Sequence, residues 1–156
     1  MTGLHFALKL IHVLGAAVLF GSGLGIAFFM WMAHLTGRPA LIAGTARIVV
    51  IADTMFTATA VVLQPITGFW LLHIVGYSFS DCWIAASLVL YVLVGLCWLP
   101  VIWIQIQLRD IAAQAAEQGT VLPARYHRLF RIWFVLGWPA FLGVIAIFWL
   151  MIAKPV

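Results

Sequence analysis

Residues 4–32 read LHFALKLIHVLGAAVLFGSGLGIAFFMWM, an apolar run whose ionisable groups, His5, Lys9 and His12, all fall near its start. Roughly 20 apolar residues suffice for a helix to cross a bilayer, so this run predicts a membrane-spanning helix. Three more runs have the same reach: Ile48–Val75, Trp83–Ile106 and Ile132–Ala153. The expected fold is all-α, a polytopic membrane protein built as a four-transmembrane-helix bundle. It forms one domain over residues 1–156, with helices at about 4–32, 48–75, 83–106 and 132–153.

The composition agrees. The chain is 66% hydrophobic and only 8% charged, with a mean hydropathy of +1.18, whereas soluble domains carry about 25% charged residues. A soluble enzyme and a nucleic-acid-binding module are both excluded. The first run is too long for the apolar core of a cleavable signal and reads as the first membrane helix. Cys82 and Cys97 sit at different depths, one at a segment edge and one mid-segment, so no disulfide is expected and no CxxC metal motif exists.

The net charge of +4 reports topology, not an anionic partner. All six arginines (Arg38, Arg47, Arg109, Arg125, Arg128 and Arg131) fall in the first and third polar breaks, while Lys9 and Lys154 lie near the termini. By the positive-inside rule the chain is expected in a bacterial inner membrane, with both termini periplasmic. The third break contains LRDIAAQAAEQG, helical in composition and closed by a glycine stop signal.

Pro65, Pro100 and Pro139 interrupt three of the spans. A membrane helix tolerates proline when a neighbour satisfies the freed carbonyl, and Gln64 and Thr67 are the expected helpers at Pro65. The glycines of GSGLG (Gly21, Gly23, Gly25) are expected to let a neighbouring helix approach.

Ionisable groups inside a membrane are costly, so each one is a functional candidate. His12 lies about 12 Å into the first span, at about 1.5 Å per residue. His73 ends the second span and returns to the same outer half, and His5 sits one heptad before His12. His34 falls at the opposite end. Gly15, Ala16, Leu19 and Gly23 follow His12 at helical spacing, a small-residue groove beside an imidazole. That pattern suits a haem: a nitrogen ligand for iron and no bulk where the ring lies. Lys9, one turn nearer the surface, is placed to pair with propionates. Copper is a weaker fit, because Met1, Met30, Met32, Met55 and Met151 form no thioether cluster. Asp53 is expected to form a salt bridge with an arginine of the charged belt, with proton entry as the alternative. The tryptophans and tyrosines are read as interface belts and packing.

Several blocks then become familiar. LKLIHVLGA, GSGLGIAFFM, VLQPITGFWLLHIVGY, CWLPVIWIQIQLRD, WPAF and FWLMIAKP resemble the bacterial integral membrane family catalogued as domain of unknown function 2269. A fainter similarity runs to HemJ-type protoporphyrinogen oxidases and CopD-like proteins, whose first helix begins Lys-x-x-His and is followed by a later His. Lys9, His12 and His34 match that pattern. The likeness implies haem b and a cofactor role for His12. Ser87 and Tyr91 stand where those oxidases carry a Lys and a His, so their reaction is not carried over.

The expected function is a membrane-embedded b-type haem protein moving electrons near the periplasmic face. His12 and His73 would be axial ligands, with His34 the alternative to His73, and Lys9 the propionate partner. Quinone or a periplasmic redox protein would exchange electrons with it. The rivals are a cofactor-free accessory or assembly protein, and copper handling through His5, His12 and His73. Glycine-rich faces allow a homodimer.

Overall fold

A computed structural model describes residues 3–155. Among these the chain is helical with no strand: α1 (Gly3–Leu35), α2 (Pro39–Ala52), a π-helical turn (Asp53–Thr57), α3 (Ala58–Val75), α4 (Cys82–Glu117) and α5 (Ala124–Ala153). With α2, the π turn and α3 read as one continuous element, four helices are long and apolar enough to cross a membrane.

These helices overrun the apolar segments that announced them. The second span begins at Pro39, nine residues before Ile48, and α4 runs through LRDIAAQAAE to Glu117. Thr36 and Gly37 end α1, with Gly37 at φ 62°, and Pro39 restarts a helix where a missing N–H costs nothing. Gly119, also at φ 62°, stops α4 as the sequence suggests. At 37 residues the second span is about 55 Å long, against a hydrocarbon core of about 30 Å. The surplus lies at the arginine-bearing end. There Met30, Ile42, Ala46, Leu108, Ala112, Tyr126 and Phe130 build a core like that of a water-soluble bundle.

Two helix pairs, α1 with α3 and α4 with α5, are joined at the arginine-bearing end by α2, which packs on both α4 and α1. At the other end Trp83, Ile84 and Leu150 close the structure, with Leu72 against them. Between these closures the pairs stand apart. Across the α1–α5 side aromatic rings meet: Phe20 stacks on Phe141 at 5.2 Å, and Trp31 lies 4.5 Å from Phe134.

The π turn keeps one stripe in register. Buried positions of the second span are Ile42, Ala46, Val49, Asp53, Thr57, Ala60 and Thr67. Two consecutive four-residue steps, from Val49 through Asp53 to Thr57, would drift off the face of a helix with 3.6 residues per turn. A wider turn absorbs the drift, and such turns gather at functional sites. Along this stripe the chemistry changes from aliphatic to polar at Asp53.

The proline of α3 is accommodated otherwise than expected. Pro65 has no N–H for the Val61 carbonyl. The hydroxyl of Tyr91, on α4, donates to that carbonyl across the gap between the helix pairs. Gln64 and Thr67 have other partners.

Candidate functional site

The α1–α3 seam is a polar zipper. His12 Nδ1 lies 2.8 Å from Thr67 Oγ1, Gln64 Nε2 donates to the His12 carbonyl at 2.9 Å, and the Ser22 and Thr57 hydroxyls meet at 3.0 Å. Glycines permit this approach. A Cβ on Gly15 would stand 2.6 Å from Gln64 Nε2, and one on Gly68 would stand 3.3 Å from His12 Cε1. Thr67 also donates its single hydroxyl hydrogen to the Leu63 carbonyl at 2.8 Å. Its oxygen therefore accepts from His12, which fixes the proton on Nδ1 and leaves the lone pair on Nε2.

Deeper along the stripe, Asp53 is 3% exposed and Gln105 of α4 is 1% exposed. Trp133 of α5 can only donate through its indole N–H. That direction sets the Gln105 amide: its oxygen accepts from Trp133 Nε1 at 3.2 Å and its nitrogen donates to Asp53 Oδ2 at 3.1 Å. Trp98, also donor-only, reaches Asp53 Oδ1 at 3.3 Å. Both carboxyl oxygens thus accept. Thr54 and Thr59 are satisfied locally, donating to the Val50 and Met55 carbonyls, so of the nearby threonines only Thr57 turns inward.

This network forms part of the wall of a groove of about 360 Å³ between the helix pairs. Ala16, Leu19, Phe20 and Gly23 of α1 line one wall, and Trp138, Phe141 and Phe148 of α5 line another. Asp53, Thr57, Gln64, Tyr91, Trp98 and Gln105 contribute its few polar atoms. The volume falls in the range of small-molecule sites, mostly apolar with a few convergent polar groups.

The residues singled out from sequence are distributed unevenly around this groove. Ala16 and Gly23 line it. Gly15 does not leave room for a flat ligand, because Gln64 fills that space. His12 is held in the neighbouring seam. The seam pairs residues 12 with 67 and 22 with 57, so the same register sets His73 level with Phe6, about 9 Å outward from His12. His73, like Lys9, is exposed. His34, at the opposite end, stacks on Phe130 at 3.6 Å and lies 3.3 Å from the Tyr126 hydroxyl. Among the described residues no three His, Cys, Asp or Glu side chains gather as a metal site.

Two expectations are corrected outright. Asp53 has no arginine partner: the one ion pair among the described residues joins Arg109 to Asp110. With the helix starting at Pro39, Asp53 lies four turns inside it and turns inward, while Arg47, the nearest arginine in sequence, is exposed. The GSGLG glycines pack no helix either, since a Cβ at Gly21, Gly23 or Gly25 would meet nothing. Gln105, Trp98 and Trp133 were missed. Trp98, Val101, Gln105, Leu108 and Ala112 make one face of α4 at helical spacing. The expected end of that span, Ile106, falls one residue past Gln105, whereas α4 continues to Glu117.

No curated protein and no solved structure matches the chain. No comparison shows the likeness to HemJ-type or CopD-like proteins. The pattern of one family, described as "Predicted integral membrane protein (DUF2269)", runs through residues 6–155, and the chain belongs to that family of integral membrane proteins.

Proposed function

We propose that this protein binds a lipophilic small molecule entering sideways from the bilayer, its polar end at Asp53 and its apolar body along α1 and α5. One observation carries the reading: a buried carboxyl, bonded by Gln105 and Trp98 of α4 and tied through Gln105 to Trp133 of α5, meets an otherwise apolar groove. A carboxyl within a membrane is a costly feature, and a bent bundle that only needed to pack would place an apolar residue there. The tryptophans beside the groove report occupancy. In phosphatidylcholine nanodiscs, ω-bromo-octanol is expected to quench them saturably. Gly23→Phe, which enters the groove from a position where an added Cβ meets nothing, is expected to abolish the saturable part. Quenching that rises linearly and equally in both proteins would refute the reading.

A haem b is the second reading, favoured by the tautomer of His12. An imidazole whose Nδ1–H is held by a neighbour offers Nε2 in the orientation metal-bound histidines use. His12 would be the axial ligand, with Lys9 toward the propionates. His73, set about 9 Å outward, and His34, at the opposite end of α1, stand too far from His12 to share its iron. Haem would supply one-electron transfer, with quinone or a periplasmic redox protein as the exchange partner. The visible spectrum of the purified protein decides: a Soret band lost in His12→Ala supports haem, and a colourless protein removes it.

A further inference from the structure

We propose that the groove selects an organic ammonium, a lipophilic amine or quaternary ammonium whose cationic head sits against Asp53 and the surrounding aromatic rings. This rests on the groove reading above and adds the chemical class of its ligand.

The polarity of the network is the first support. Trp133 sets the direction of Gln105, Gln105 donates to Asp53, and Trp98 donates to its other oxygen. Every fixed hydrogen bond runs toward the carboxyl, the arrangement a carboxylate accepts. The residues supply hydrogen bonds to that anion but no counter-charge. The one ion pair among the described residues is Arg109 with Asp110, and Arg47, six residues before Asp53, is exposed. An anion away from water attracts a cation far more strongly than one in water does, so a positive group is the missing complement.

The shape of the site decides which cation. A bare metal ion needs several converging oxygens, and here the groups around Asp53 include two indole N–H donors and an amide. The groove is instead lined by aromatic side chains, among them Tyr91, Trp98, Trp133, Phe134 and Trp138. Aromatic rings around a carboxylate suit an alkylammonium, whose diffuse charge is attracted to ring faces and whose substituents fit an apolar wall. The apolar lining toward Phe141 and Phe148 then takes the ligand's hydrocarbon part.

The test uses three probes of equal chain length in the nanodisc assay: ω-bromo-octyltrimethylammonium, ω-bromo-octanol and ω-bromo-octyl sulfate. Each signal is taken as the difference from Gly23→Phe, which subtracts partition into lipid. The ammonium is expected to bind on the order of tenfold or more tightly than the alcohol, with the sulfate weakest. In Asp53→Asn the ammonium and the alcohol are expected to bind alike. Equal saturable binding of ammonium and alcohol in the wild type overturns the ammonium assignment and leaves the groove reading standing. No saturable binding by any probe overturns both. An ammonium preference that survives in Asp53→Asn also overturns the assignment. If that variant does not fold, the order of the three probes in the wild type decides alone.

Discussion

Replacing Gln105 with leucine is expected to be the most damaging single change in the membrane interior. Gln105 connects three helices: its oxygen takes the Trp133 N–H and its nitrogen serves Asp53. Leucine matches its volume closely but strands a buried donor on α5 and one oxygen of a buried carboxyl on the second span. Each orphaned group costs about 1–3 kcal/mol, so the expected loss is about 2–6 kcal/mol. Thermal unfolding of the detergent-solubilised protein, followed by tryptophan fluorescence, measures it. Gln105→Glu is the informative companion, because it sets a second carboxyl beside Asp53 and cannot donate as the amide does. A Gln105→Leu protein as stable as the wild type would show that the Asp53 network does not hold α4 and α5 against the second span.

Tyr91→Phe is expected to cost about 1–3 kcal/mol, the penalty for one buried acceptor left without a donor. Its cause is unusual, because the affected carbonyl belongs to another helix. Pro65 withholds the N–H that Val61 would receive within α3, and the Tyr91 hydroxyl supplies a donor from α4. No water is available in the bilayer core to substitute. The variant is expected to loosen the α3–α4 side of the groove as well as lower the melting temperature. The natural control is Tyr77→Phe, whose hydroxyl accepts from Lys154 at an exposed site. There water takes over, and the loss is expected to be small. Equal melting temperatures for Tyr91→Phe and the wild type would show that the Val61 carbonyl finds another donor.

Span count, helical class and the asymmetry of the arginines were legible because each depends on local composition. Crossing a bilayer requires only length and apolarity, and those properties survive any arrangement of neighbours. Helix ends were less legible. The windows that mark a membrane segment stop where polarity rises, whereas α2 and α4 continue through polar sequence because core residues such as Ile42, Leu108 and Ala112 bury them against one another. Asp53 accordingly seemed to lie near the charged belt.

His12 shows the division most clearly. The sequence marked it as costly and placed it beside small residues, and both statements hold. What the small residues serve was decided between helices: Gly15 admits Gln64, Gly68 admits the imidazole, and only Ala16 and Gly23 face the open groove. Spacing along one helix names the residues that share a face but not what that face meets.

The sequence by itself determined that this chain lives in a membrane as four helices and that its few buried polar groups demand an explanation. Only the tertiary structure decided that Asp53 belongs to Gln105, Trp98 and Trp133 rather than to an arginine, and that a groove opens beside them. The physical reason is that apolarity is a property each segment carries alone. A hydrogen bond between helices exists only once three-dimensional packing has brought donor and acceptor within about 3 Å.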